Sequence, residues 1–296
     1  FFALVMLVEP LTSPTIKKWQ IVYSGLVAVV IFTYQRFLTD IFYSFELALL
    51  TGNIFSYLVS QNFRQVLRLR EKQKLSHDVI AFLFEPWKKF QFSAGQYLEW
   101  TLPHPYPDNR GIRRYFTIAS SPTENSIILV TKFYEKQSTF KQALVKFEPG
   151  DEIVVSDLGG EFTTPADSEK KLVFIAGGIG ITPFRSMARW MIDKKESRDV
   201  VLLFSNKTSK DIVFKNIFKE AEKIGWETIY VNTDEDGYID EKVISEKVPD
   251  WKDRIFYVSG PEPMVEAFEK MLAKMGIAKS QVKRDYFPGY TETHQK

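Results

Sequence analysis

Two short runs carry residue types suited to a phosphorylated aromatic cofactor. The first is Arg114-Tyr115-Phe116-Thr117-Ile118-Ala119, followed by Ser120-Ser121-Pro122. Arginine presents a planar fork of N–H donors that matches pyrophosphate oxygens. In an extended segment Tyr115 and Phe116 point to opposite faces, so one of the two rings can stack on a planar heterocycle while Thr117 brings a hydroxyl beside it. A plain strand with an exposed arginine would read the same way. The second run, about sixty residues on, is Gly177-Gly178-Ile179-Gly180-Ile181-Thr182-Pro183. Glycines let backbone N–H groups approach a pyrophosphate, and a helix opened by Thr182-Pro183 turns its positive end toward that charge. The spacing is G-G-x-G-x-T-P rather than G-x-G-x-x-G, which departs from the usual dinucleotide fingerprint.

Composition narrows what else could do chemistry. Among 296 residues there is no cysteine, so a thiolate nucleophile, a disulfide and a Cys-ligated iron–sulfur cluster are all excluded. The three histidines, His77, His104 and His294, lie outside the apolar N-terminal region, which leaves no pair there for a haem. No metal site is expected. A net charge of +2 without a basic-aromatic pattern gives no reason to invoke nucleic acid.

The elements that must position the two runs fall into three regions. Residues 1–74 look membrane-like. Ile21 to about Leu38 and Ile41 to Val59 are two apolar stretches near the length that crosses a hydrocarbon core, with Asp40 at the turn and Glu46 the only charge in the second. Lys17 and Lys18 precede the hairpin, and Arg64, Arg68, Arg70, Lys72 and Lys74 follow it, which places both ends on the cytoplasmic side of an inner membrane. A pair of buried helices is the alternative. The chain opens on Phe1 within an apolar run, Phe1 to Val8, which reads as a fragment or processed product.

Residues 75–167 show short alternating segments and turn residues. Val79–Phe84, Gln96–Trp100, Ile127–Phe133 and Glu152–Ser156 are expected strands of an antiparallel barrel. Residues 168–296 alternate strands with helices. Lys171–Ala176, Asp199–Phe204, Glu227–Val231 and Arg254–Val258 are expected parallel strands, and Ser259-Gly260-Pro261-Glu262-Pro263-Met264 opens a further helix. At the end of the second of these strands, Ser205-Asn206-Lys207 contains no acidic residue to read a ribose 2′-hydroxyl. Lys207 would suit a 2′-phosphate and tilts the expectation toward NADPH.

The Arg114 run resembles the R-x-[YF]-[ST] flavin signature of the ferredoxin–NADP reductase superfamily, and the likeness extends over about residues 75–290. It implies that Arg114 holds the FAD pyrophosphate, that Phe116 stacks on the isoalloxazine and that Thr117 bonds the flavin N5, with Tyr115, Ile118, Ala119 and Lys132 nearby. A second flavin segment is similar to Lys136-Gln137-Ser138-Thr139-Phe140. Its usual glycine is missing, but Ser138 and Thr139 can open a helix. The resemblance places NAD(P)H on Gly177, Gly178, Gly180, Thr182, Pro183, Ser205, Asn206 and Lys207, and sets Ser259, where a cysteine is common, with Gly260, Pro261 and Met264 beneath the nicotinamide. Phe287 or Tyr290 would cover the flavin. Separately, Glu9-Pro10-Leu11-Thr12-Ser13-Pro14 between apolar spans resembles the membrane subunits of Rnf complexes and of sodium-pumping NADH:quinone reductases, without their flavin-attaching Ser-Gly-Ala-Thr motif.

The expected fold is N-terminal transmembrane helices, an antiparallel β-barrel FAD domain and an α/β parallel-sheet NAD(P) domain. The expected activity is hydride transfer from NAD(P)H to FAD, with Thr117 and Ser259 at the reacting centre, followed by single-electron transfer to a separate ferredoxin, flavodoxin, quinone or membrane flavin. Membrane lipid would hold the anchor. The alternatives are a ferredoxin or flavodoxin reductase whose anchor only sets location, and a non-catalytic membrane assembly subunit.

Overall fold

The computed structural model describes residues 17–37, 44–59 and 64–287. They form two compact units, divided between Arg64 and Gln65.

The first unit is a helix pair. α1 (Lys17–Phe37) and α2 (Ser44–Val59) bury Tyr23, Val27 and Ala48 against each other. A Cβ at Gly52 would stand 2.7 Å from the Tyr23 ring, so glycine there permits the close approach. Contrary to expectation, among the described residues no helix is long and apolar enough to cross a membrane. The physical reasons lie at the ends. α1 reaches 21 residues only by including Lys17, Lys18, Gln20, Gln35 and Arg36. α2 has 16 residues, about 24 Å of helix against a hydrocarbon core of about 30 Å. Glu46 is exposed in the first turn of α2. The Phe1 to Val8 run, the Glu9 to Thr15 connector and the Asp40 turn lie outside the described residues.

The second unit has two lobes. One is a six-stranded sheet of β1 (Arg64–Lys74), β2 (Val79–Pro86), β3 (Tyr97–Thr101), β4 (Arg113–Thr117), β5 (Ile127–Lys132) and β6 (Glu152–Gly159), in the order β4-β3-β6-β1-β2-β5. β1 pairs antiparallel with β2, β2 with β5, and β3 with both β4 and β6. Just past β4, the Ala119 N–H donates to Ile128 O at 2.9 Å, which draws the two outer strands together into a barrel. A short helix, α3 (Thr139–Val145), follows β5. The basic run after the hairpin is therefore not a separate segment. It is β1, an inner strand that buries Leu67 and Leu69 and turns its charges outward, and the barrel begins about ten residues before the expected boundary at 75.

The other lobe is a five-stranded parallel sheet of β7 (Leu172–Gly177), β8 (Val200–Asn206), β9 (Trp226–Asn232), β10 (Ile255–Pro261) and β11 (Val282–Phe287), ordered β11-β10-β7-β8-β9. Between strands run α4 (Thr182–Lys194), α5 (Lys215–Ala221), α6 (Glu241–Lys247) and α7 (Glu262–Lys274). All six residues of β7 are buried, as a strand covered on both faces requires. The chain runs from β7 outward through β8 and β9, then returns to β10 on the other side of β7. That reversal opens a crevice at the carboxyl ends of β7 and β10, where ligands of such sheets bind. Asp285, Tyr286 and Phe287 of the aromatic C-terminal run belong to β11, paired in register with β10.

Candidate active site

On β4, Arg114 and Phe116 share a face. The Arg114 guanidinium carbon is 5.5 Å from the centre of the Phe140 ring, and the Phe116 ring is 5.8 Å from it. Tyr115 points the other way. It is 55% exposed, with its ring edge-on to Tyr97 and its hydroxyl donating to Asp157 at 3.4 Å. Of the two candidate stacking rings, Phe116 is therefore the one on the face of Arg114. Arg114 already holds a carboxylate. Its Nη2 donates to Asp108 Oδ1 at 2.8 Å, and its Nη1 donates to the carbonyls of Arg110, Gly111 and Arg113. Burial alone would raise the Asp108 pKa, but the Arg110 N–H, the Arg114 guanidinium and the Thr139 N–H hold it below the usual carboxylate value. The fork is thus engaged by a carboxylate of its own loop.

Ser138 caps α3, its Oγ accepting the Lys141 N–H at 3.4 Å. Thr139 Oγ1 accepts the Asp108 N–H and lies 2.9 Å from His104 Nε2. Lys132 is directed elsewhere: its Nζ lies 2.9 Å from Asp78 Oδ2. Near it, ligand-capable atoms of His77, Asp78 and Asp211 come within 4.8 Å of one another. Each imidazole nitrogen faces a different carboxylate there, and Lys132 occupies Asp78.

The glycine run leaves β7 through a single 3-10 turn, Gly178–Ile181, before α4. Thr182 lies inside the helix rather than capping it, and its hydroxyl donates to Ile179 O at 3.2 Å. Gly178 has φ +52° and open space where a side chain would stand. A Cβ on Gly180 would fall 2.2 Å from Ser259 O, so this glycine lets the β7 turn press on the end of β10. Met264, in the first turn of α7, fills the gap above Gly177 and Gly260. At the end of β8, Asn206 is buried with its Nδ2 lacking a partner, while Lys207 is exposed and Ser205 half-buried.

The two residues expected at the reacting centre come together through a third. Ser259, from the parallel sheet, donates its Oγ–H to the carboxyl of Asp285 on β11 at 3.5 Å, and the Thr117 hydroxyl, from the barrel, lies near enough to that carboxyl to pull its pKa down. Burial raises the Asp285 pKa to about 6, against the lowering pull of the two hydroxyls. Sequence reasoning missed Asp285 as a site residue. Its signal, one position before an aromatic pair near the C-terminus, becomes specific only when the β10–β11 register sets it beside Ser259. Phe287 ends β11, and Tyr290 lies outside the described residues.

These residues fit two cofactors. The open turn at Gly178 and the unpartnered Asn206 donor suit a dinucleotide at the crevice, and the face carrying Arg114, Phe116 and Phe140 suits a flavin. Comparison with known proteins agrees. Residues 66–163 match the oxidoreductase FAD-binding domain family and residues 174–270 the oxidoreductase NAD-binding domain family. The chain carries an oxidoreductase FAD-binding domain followed by an oxidoreductase NAD-binding domain, with the fold of ferredoxin–NADP+ reductases. It is an FAD-dependent NAD(P)H oxidoreductase, which sets aside the non-catalytic assembly subunit. A glycine betaine monooxygenase reductase subunit of Chromohalobacter salexigens is 27% identical over 259 residues, covering 80% of this chain and 69% of the relative. An Escherichia coli NADH oxidoreductase HCR is also 27% identical, over 56% of this chain and 52% of that protein. The Amycolatopsis cytochrome P450 reductase GcoB superposes with a TM-score of 0.67 at 21% identity, over 78% of this chain and 72% of that one. A Plasmodium falciparum ferredoxin–NADP+ reductase gives 0.65 at 15% identity, over 77% and 99%.

Proposed function

We propose that this reductase takes electrons from NAD(P)H and passes them singly to a separate redox partner. The observation that carries the reading is the succession of an FAD-binding domain over residues 66–163 and an NAD-binding domain over residues 174–270, with Thr117 in the first and Ser259 in the second both beside the Asp285 carboxyl. Bound FAD would accept a hydride from the nicotinamide and release electrons one at a time, chemistry that belongs to the cofactor. The chain's own residues supply position. Arg114 would hold the flavin pyrophosphate, exchanging the Asp108 carboxylate for it, and Phe116 would cover the ring system. Gly177, Gly178 and Gly180 would bring backbone N–H groups to the nicotinamide dinucleotide, and Thr182 and Pro183 set the start of α4 behind them. Ser259, Gly260, Pro261 and Met264 would line the nicotinamide end, while Lys207 would favour a 2′-phosphate. Asp285, its carboxyl pKa raised by burial to about 6, would orient the Ser259 hydroxyl, which donates to it.

Residues 1–296 contain no cysteine and hold no Cys-ligated iron–sulfur carrier of their own, which supports electron transfer onward to a carrier outside these two domains. Relatives named as reductases of oxygenases and cytochromes support a protein acceptor. A membrane setting is supported only by the exposed Ile21, Phe32, Leu50, Ile54 and Leu58 of the helix pair, which favour apolar surroundings. Anaerobic stopped-flow reduction of the FAD-loaded protein tests the proposal. Bleaching at the flavin band by NADPH faster than by NADH is expected. No bleaching by either nucleotide would remove the reading.

A further inference from the structure

One guanidinium ties the two cofactor runs together. Arg185 lies on α4, three residues after Thr182, and is 7% exposed. Its Nη1 donates to the carbonyl of Ala119, two residues beyond Thr117, at 3.0 Å. The same fork grips the Glu124 carboxylate with both terminal nitrogens, Nη2 to Oε1 at 2.8 Å. Glu124 Oε2 also accepts the Ser121 N–H at 2.6 Å, so the carboxylate is locked into the segment that follows the flavin strand. The next helical residue repeats the link, with Ser186 Oγ donating to Ser120 O at 2.6 Å. About two turns further along α4, Asp193 accepts from Thr123 Oγ1 at 2.5 Å. Phe214, before α5, lies against the guanidinium at 5.8 Å. The bonds of Arg185, Ser186 and Asp193 in this set join the helix opened by the glycine turn to the loop that continues the Arg114–Ala119 run.

We propose that the Arg185–Glu124 pair is a positioning device for hydride transfer, setting the nicotinamide-bearing turn against the flavin-bearing strand. The inference rests on the reductase reading above. Hydride transfer needs donor and acceptor atoms about 3–3.5 Å apart, and a misplacement of about 1 Å costs on the order of a hundredfold in rate. A bidentate arginine is suited to fixing such a distance because its planar fork restrains direction as well as length. Neither residue needs to touch a cofactor to act in this way.

Removing one partner alone would strand a buried charge and could unfold the protein. The decisive variant is therefore the double substitution Glu124→Gln with Arg185→Met, with Arg185→Lys beside it. The FAD-loaded full chain is reduced anaerobically with saturating NADPH, and the limiting rate, the FAD dissociation constant and the isotope effect with deuterated nicotinamide are read. The double variant should bind FAD within threefold of the parent, reduce it at least tenfold more slowly and show a larger isotope effect. Arg185→Lys, which keeps the charge but loses the fork, should fall between the two. A double variant reducing at the parental rate would overturn the proposal. So would one whose slower rate is fully explained by weaker FAD binding, because the pair would then serve only to hold the structure. A parent protein that neither nucleotide bleaches would instead remove the reductase reading, and is recognised before any variant is made.

Discussion

Asp285 shows how much one side chain can decide. A buried carboxyl that keeps its proton to about pH 6 makes stability depend on pH in a direction opposite to a salt-bridged aspartate. Its folded pKa lies above its unfolded value of 3.8, so the folded state holds the proton more tightly. The contribution to stability is full below pH 3.8 and is lost as pH rises through about 6. Urea unfolding of the parent and of Asp285→Asn between pH 4 and 8 should show the parent losing ground to the variant across that window; parallel curves would argue against it. Arg114 makes a second prediction at this scale. Arg114→Ala should weaken FAD binding by about thirtyfold, corresponding to the loss of a charge-assisted contact of about 2 kcal/mol, as read by quenching of flavin fluorescence. Arg114, Phe116 and Thr117 could be picked out as candidates because their types and spacing are unusual together. Asp285, Arg185 and Glu124 could not, because each acts through a residue distant in sequence: Ser259 for the first, and one another for the pair.

At the scale of elements, the contact between the β7 turn and the end of β10 is set by an absence of side chain. Gly180→Ala would drive a methyl group to 2.2 Å from Ser259 O, a backbone atom that cannot swing aside. Flavin binding should survive, while the KM for NAD(P)H rises more than tenfold in steady-state assays; an unchanged KM would mean that the turn is looser than its geometry. Sequence placed the strands well where they were buried runs between turns. The expected Lys171–Ala176 strand is β7, shifted by one residue, and Arg254–Val258 lies in β10. β1 escaped because its charges outnumber its two inward leucines and follow directly on an apolar region, so the eye joins it to the helices. The transmembrane reading finds no support among the described residues for a related reason: composition shows where apolar residues gather, whereas polar ends and helix length decide how much continuous apolar helix they make.

The whole molecule joins a reductase unit to a helix pair whose outer face keeps large apolar side chains exposed, and the two units are compact separately. Deleting residues 1–64 should leave the limiting rate of flavin reduction within about twofold of the full chain, because Arg114, Thr117, Ser259 and Asp285 all lie in the second unit. The same deletion should abolish sedimentation with membranes if the helix pair is a membrane-docking element. A fragment that sediments as before, or that loses its flavin, would count against this division of labour.

β1 also has a history during synthesis. It leaves the ribosome directly after the helix pair and meets β2 within a few residues, yet its other neighbour, β6, arrives about eighty residues later, where Leu69 N–H reaches Asp151 O. Until then an inner strand waits with one edge unpaired. Long-range pairings of this kind slow folding and expose surfaces that associate wrongly. The barrel is therefore expected to close late, and its yield in the cell to depend more on elongation pace and chaperone cover than on the stability of the finished protein.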